Sequence, residues 1–407
     1  MADAPQPGPG AALRLLRGRN FGPYFVGNAS SASGTWFQNL AAALLVYRLT
    51  HSAFLLGVLS FCNFLPVLLL APWAGSAADR FDRKRLLLVT QLGSTVVSAG
   101  LAALAWAGLA RVWVVIACAV ALGVGSAFAV PASQALIGDL VTREQLGAAV
   151  ALNSMTYNLA RAIGPALAAV SVRTLGIPAS FAINAGSYLL LVLALLVVHP
   201  APRRLALRGE ARLRESLRLV RDRPRLLAFL LIVTAVGFAS DPVNTESPAF
   251  AQAFGRPDTD AGYLIGAFGG GAVLAAFLVA GRVAGSRGRM LATLGLLAGG
   301  MIAYSLVPWL SLGYVFLGVA GFGYLASNTA ATSRLQLDVE DHQRGRIMAL
   351  WSVAFLGLRP VASLTDGAIA GAFGVRTAGV VLAAPALAVA GAIYFLQRHH
   401  RSLTTRV

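Results

Sequence analysis

The sequence predicts an all-α polytopic membrane protein, with twelve transmembrane helices in two pseudo-symmetric six-helix halves. Three observations carry this. Hydrophobic residues make up 57% of the chain and charged residues 12%, a balance suited to lipid rather than to water. Apolar stretches of about 20 residues, enough to cross roughly 30 Å of hydrocarbon, recur along the whole length. A charged loop after the second stretch, Gly75 to Arg85, has a worn copy at Gly281 to Arg289, an offset of 206 in a chain of 407 residues.

In order along the chain, residues 1–20 are rich in Pro, Gly and Arg and lack an apolar core, so they read as a cytoplasmic segment and not as a signal peptide. Six spans follow, near 21–47, 53–78, 86–108, 112–137, 148–172 and 178–198, forming an N-terminal bundle over 21–198. The stretch 199–225 carries nine arginines against Glu210, Glu215 and Asp222. Within it Leu213, Leu217 and Val220 fall at helical spacing, with Arg212, Arg214, Arg218 and Arg221 around them. It reads as a basic amphipathic helix on the membrane surface, as a plain tether or as a lipid sensor. Six further spans, near 226–252, 261–283, 290–309, 312–334, 347–373 and 376–397, form a C-terminal bundle over 226–397, and 398–407 is a tail. A second internal match supports duplication. Gln145-Leu146-Gly147, Ala151-Leu152 and Ser154 correspond to Gln343-Arg344-Gly345, Ala349-Leu350 and Ser352 at an offset of 198, which also carries Arg161 onto Arg359.

The net charge of +17 invites a nucleic-acid reading, and its distribution argues against one. About 26 of the 33 basic residues fall on the side of the N-terminus, about five opposite (Arg48, Arg111, Arg173, Arg256, Arg376) and two within spans. That asymmetry follows the positive-inside rule, puts both termini in the cytoplasm and makes the lipid bilayer the partner of the basic surface. Cys62 and Cys118 lie in apolar spans and suggest neither disulfide nor metal cluster. The histidines at 51, 199, 342, 399 and 400 all fall outside span centres, and His399-His400 reads as a solvated tail. Lys84 is the sole lysine, and no phosphate loop precedes it. No catalytic residue, metal or cofactor is expected.

Ionisable groups in the bilayer are costly, roughly 2.5–3.5 kcal/mol each on insertion scales, so they face a cavity or pair with each other. Five fall there: Arg161, Asp241, Glu246, Arg359 and Asp366. Ser154, Asn158, Arg161 and Pro165 share one face of the fifth span, where the arginine can hold an anion or lock two helices together. Ser352, Arg359, Ser363 and Asp366 share a face of the eleventh. There the spacing of seven would stretch an Arg359–Asp366 pair, and Asp366 can equally lie near the outer interface. The seventh span contains Asp241-Pro242 and Glu246-Ser247-Pro248. Its prolines should break the helix and free carbonyls. Asp241 lies about 15 residues, roughly 22 Å, into that span. Burial and a nearby arginine push a carboxyl in opposite directions, so water access can toggle its proton. Glu246 lies higher, where a rim position is the simpler reading. The first span is polar, with Asn28, Ser30, Ser31, Ser33, Thr35, Gln38 and Asn39 beside Trp36 and Phe37. It reads as a neutral cavity wall, or as helix contacts residue by residue.

The loop Gly75-Ser76-Ala77-Ala78-Asp79-Arg80-Phe81-Asp82-Arg83-Lys84-Arg85 resembles the G-x-L-A-D-R-x-G-R-K motif of the major facilitator superfamily, departing at Ala77 and Asp82. The second copy keeps Gly281, Ala284, Gly288 and Arg289 and has Gly285 in place of the acid. Gly164-Pro165, following Arg161, resembles the helix 5 antiporter motif, with Ala160 and Ala168-Ala169 replacing its outer glycines. That motif needs a bend and a small surface, for which Gly262, Gly266 and Gly269-Gly270-Gly271 of the eighth span are candidate partners. Two stretches are similar to the macrolide-efflux and siderophore-exporter branch: Pro131 to Leu136 continuing through Asn153-Ser154 to Gly164-Pro165, and Leu335-Gln336 continuing to Arg344-Gly345-Arg346-Ile347-Met348-Ala349-Leu350.

The resemblance covers roughly residues 20–397. It implies a monomeric, multi-pass protein of the inner membrane that exports a small amphipathic substrate in exchange for protons by alternating access. Proton coupling would fall to Asp241, Asp366 and Glu246. The substrate cavity would draw on Arg161, Asn158, Arg359, Asn28, Trp36, Gln38 and Asn39, and internal repeats place such a cavity between halves near the midplane. Gly75, Asp79, Arg80, Arg83, Lys84 and Asp139 would form the gate, Asp79 meeting the start of the eleventh helix and Arg83 pairing with Asp139. Nutrient uptake by symport and lipid translocation stand as alternatives.

Overall fold

The computed structural model describes residues 14–200, 213–279, 283 and 285–404. Residues 1–13, the linker stretch with Arg212, and Gly281, Arg282 and Ala284 of the repeated loop lie outside the described residues, as do 405–407. All twelve expected spans are helical, and no strand occurs among the described residues. The first six are α1 (Phe21–Thr50), α2 (Ala53–Arg80), α3 (Arg83–Trp106), α4 (Val112–Leu140), α5 (Arg143–Thr174) and α6 (Ile177–Val197). The short α7 (Leu213–Asp222) falls in the basic linker. Then come α8 (Pro224–Thr245), α9 (Ser247–Ala253), α10 (Ala261–Val279), α11 (Arg287–Leu306), α12 (Leu310–Leu337), α13 (Asp341–Ser352), α14 (Arg359–Phe373) and α15 (Val375–Thr404). Among the described residues, ten spans are long and apolar enough to cross a membrane. Of the twelve expected spans, the two outside that set, α1 and α5, carry the polar stripes of Asn28 to Asn39 and of Ser154 to Arg161.

Local sequence explains the helix ends. Asp82 N-caps α3, its carboxylate accepting from the Arg85 amide at 2.7 Å. Thr142 and Gln145 form a capping box at the start of α5. Gly374 takes φ 87° between α14 and α15, a conformation closed to most side chains.

Two spans are broken in ways hydropathy does not show. In the seventh, Pro242 is accommodated inside α8, and the break falls at Glu246, which ends α8 and precedes Pro248 in the first turn of α9. In the eleventh, a π-helical turn over Val353–Gly357 separates α13 from α14. Pro360 in the first turn of α14 is the sequence signal for this, because a proline disfavours helical geometry in the residue before it. The turn corrects the expected shared face: Ser352 is exposed, whereas Ser363 and Asp366 are buried.

By contacts the chain divides into two compact units, Met1–Leu45 with Leu65–Leu207, and Val46–Phe64 with Arg208–Val407. The first part of α2, through Phe64, thus belongs to the second unit. In the first unit, Phe21, Tyr24, Leu87, Leu136, Ile137, Leu191 and Leu195 form a core joining α1, α3, α4 and α6. In the second, glycines let helices approach closely. A methyl group on Gly271 of α10 would overlap the Gly318 carbonyl of α12, and one on Gly321 of α12 would overlap the Phe268 carbonyl of α10.

Candidate functional site

The second unit encloses an acid cluster built from three chain segments. Asp241 of α8 is 1% exposed. Its Oδ1 accepts from the Ser363 hydroxyl of α14 at 3.1 Å, and its Oδ2 accepts from the Thr245 hydroxyl at 3.0 Å. The Ser60 hydroxyl of α2 lies 3.2 Å from Thr245. Arg359, at the start of α14, brings Nε to 3.9 Å from Asp241 Oδ1 and stacks its guanidinium 4.4 Å from the centroid of the Phe64 ring. The arginine therefore engages Asp241 of another helix, not Asp366 two turns along its own. α2 reaches this cluster by close packing. A methyl group on Gly57 would sit 2.6 Å from the Ser363 carbonyl and 2.7 Å from Gly367 Cα.

Glu246 and Asp366 are both 0% exposed, so Glu246 is no rim residue and Asp366 does not meet solvent. Neither carboxyl has a hydrogen-bond partner on either oxygen. Glu246 sits at the break between α8 and α9 and gives no side-chain cap to α9. Three acids and one arginine thus share an enclosed region. Two of the acids have neither of the devices that make buried charge tolerable, a donor or a cation.

In the first unit, Arg161 of α5 lies over the Trp36 ring at 5.5 Å, and Tyr157 meets the same ring edge-on at 6.4 Å. Gly164 makes this approach possible. A methyl group there would lie 2.9 Å from Trp36 Cβ, so the small surface of the Gly164-Pro165 motif packs against α1. Among the glycines of α10, Gly271 packs against Gly318 of α12 within the second unit. The polar residues of α1 divide by role. Gln38 is 3% exposed, and its Oε1 accepts from Ser98 of α3 at 2.7 Å and from Asn184 of α6. It ties three helices together and has no acceptor left for a substrate on that oxygen. Asn28 donates to Asn153 Oδ1 of α5 at 2.8 Å and accepts from Ser133 of α4 at 3.4 Å. Asn39 is half-buried. The side chain of Asn158 lies outside the described residues.

At the charged loop, Arg83 Nη1 reaches both oxygens of Asp139, at 2.9 and 2.8 Å, and the Ala135 carbonyl at 3.0 Å. Lys84 donates to the Val198 carbonyl beyond the end of α6 at 2.8 Å. These bonds tie α3 to the ends of α4 and α6. Gly75 is half-buried, and Asp79 and Arg80 are exposed. Asp82, which replaces the glycine of the motif, is the N-cap of α3.

Comparison with known proteins adds to this geometry. A family model described as transmembrane secretion effector matches residues 11–403. The chain is 28% identical over 383 residues to the staphyloferrin A transporter of Staphylococcus aureus, covering 90% of this chain and 93% of that protein. It is 25% identical to the multidrug efflux pump Tap of Mycolicibacterium fortuitum, over 91% of this chain and 93% of that one. The enterobactin exporter EntS of Shigella boydii is 26% identical over 84% and 86% of the two chains. Among solved structures, an inward-facing, occupied bacterial homologue of the human lysosomal transporter Spinster aligns over 97% of this chain and 98% of its own. That alignment has a TM-score of 0.75 at 14% identity, a likeness of fold.

Proposed function

We propose that this chain, which belongs to the transmembrane secretion effector family of the major facilitator superfamily, exports amphipathic small molecules in exchange for protons. It is a multi-pass membrane transporter and not an enzyme. The observation that carries proton coupling is the pair of unpartnered carboxyls, Glu246 and Asp366. An ionised carboxylate with neither donor nor cation costs several kcal/mol to bury, so loading each acid with a proton is the cheaper way to hold it inside. Opening the cluster to water reverses that balance and releases the proton. Asp241 differs from them. Two hydroxyls and Arg359 support its charge, so it links the protonation of its neighbours to the position of α14.

The names of two relatives, an enterobactin exporter and a multidrug efflux pump, support outward movement of an organic compound, and a third is named a staphyloferrin A transporter. Trp36 with Arg161 offers an aromatic face beside a cation, suited to a substrate that is partly aromatic and partly anionic. Both termini are assigned to the cytoplasm on the arginine asymmetry, and the gate to Asp79 with the Arg83–Asp139 pair.

The test uses the purified protein in liposomes with an imposed pH gradient and a fluorescent amphipathic probe. Concentration of the probe against its gradient, abolished by an uncoupler and indifferent to ATP, is the expected result. Movement that depends on ATP alone, or that merely equilibrates the probe with a pH gradient present, overturns proton antiport.

A further inference from the structure

A cavity of about 480 Å³ opens in the second unit among the start of α8, the start of α11 and the end of α12. Arg223, Arg225, Arg334 and Asp338 line it, with Ser286 beside them and Leu226, Phe229 and Met290 as an apolar floor. We propose that this cavity binds a phosphate-bearing anionic headgroup, that of a membrane phospholipid, at the arginine-rich face of the protein.

The charge balance is the first argument. Three guanidiniums face one carboxylate, and that carboxylate is already engaged with Arg334 at 3.6 Å. Arg223 donates to the Asp338 backbone carbonyl at 3.3 Å, which holds its guanidinium at the wall of the cavity. Arg225 lines the cavity and is exposed. Guanidinium groups match phosphate oxygens in a planar, two-pronged geometry that a lysine cannot copy. The backbone supplies a second argument. α8 begins at Arg223-Pro224 with no side-chain cap, which leaves the Arg225 amide of its first turn without a capping side chain. α11, by contrast, is capped internally by Ser286, which accepts from the Arg289 amide. The floor gives the third. Leu226, Phe229 and Met290 are buried apolar side chains lining the same cavity as the arginines, a combination that fits a glycerol and the first methylenes of acyl chains better than it fits a hydrated ion.

The experiment uses the full chain purified in a neutral detergent, with lipid binding read by native mass spectrometry and thermal shift. The probes are dioleoylphosphatidylglycerol, dioleoylphosphatidylcholine and inorganic phosphate. Retention of phosphatidylglycerol over phosphatidylcholine, weakened at least about tenfold by Arg225→Gln and further by Arg225→Glu, is expected, tenfold being 1.4 kcal/mol. Arg225 is exposed, so both variants should fold, and their melting points without lipid verify it. Competition by millimolar phosphate would place recognition in the headgroup, and phosphatidylglycerol binding that phosphate does not displace would place it in the lipid as a whole. Stabilisation by phosphate without lipid preference would identify a free anion as the source. Equal binding of the two lipids with no response to phosphate overturns the proposal. So does an equal loss in Arg85→Gln, which removes an exposed charge from the other unit and reports only diffuse attraction to the surface.

Discussion

Asp241 and Arg359 come within 3.9 Å of each other from two different helices, with the carboxylate wholly enclosed and the guanidinium stacked on Phe64. Charge, hydroxyl donors and an aromatic face meet at one point, where the neutral and ionised forms of Asp241 make different demands on α14. Replacing Asp241 with Asn keeps its shape and removes its proton. The variant should fold, bind substrate and exchange it down a gradient, while proton-driven accumulation falls at least about tenfold. Unchanged uphill accumulation with an unchanged pH profile would move coupling elsewhere.

Glu246→Gln and Asp366→Asn test the unpartnered acids. An unpaired polar group is already present at each position, so the amide should cost less than about 1 kcal/mol of stability. Each variant should flatten the dependence of transport on the proton gradient. A normal gradient dependence in the double variant would exclude both acids as carriers.

The basic loop makes two separable predictions. Arg83→Ala leaves Asp139 without its cation and should lower stability by about 1–3 kcal/mol, read as a fall in melting temperature. Asp79 is exposed, so Asp79→Asn should leave the melting temperature unchanged and slow transport. A variant at Asp79 that transports at the normal rate removes the gate assignment.

Gln38 offers a control for the cavity. Gln38→Leu keeps the volume and strands the Ser98 and Asn184 donors, costing about 1–3 kcal/mol for each group left unsatisfied. Stability should fall while the relative rates for different substrates stay the same. A changed substrate ranking would make Gln38 part of the cavity after all.

Much of the fold was legible because the membrane imposes it. Apolar length marks the spans. The Arg83–Asp139 contact was legible too, since Arg83 lies in the loop motif at the start of α3 and Asp139 lies near the end of the following helix, α4. What hydropathy cannot show is which buried groups meet. Glu246 looked peripheral because its position was measured along a helix that in fact ends there, and the backbone turn at that residue folds it inside. Arg359 could not be assigned to Asp241 from spacing, because the contact joins segments far apart in sequence. The division of the first helix was equally hidden. Gln38 and Asn28 look alike in composition, and only their partners on α3, α4, α5 and α6 distinguish them.

The π-helical turn at Val353–Gly357 also bears on how this chain tolerates change in length. Such a turn accommodates one residue more than an α-helix of the same reach. Everything after it is therefore rotated by about 100°, the angle one residue contributes to a helix. Ser363 and Asp366 face inward because of that offset. Deleting a single residue between 353 and 357 would remove the residue that the turn absorbs, so the segment would relax into an ordinary helix that keeps both side chains directed at the cluster. In this stretch the chain carries one residue more than the register of the cluster requires.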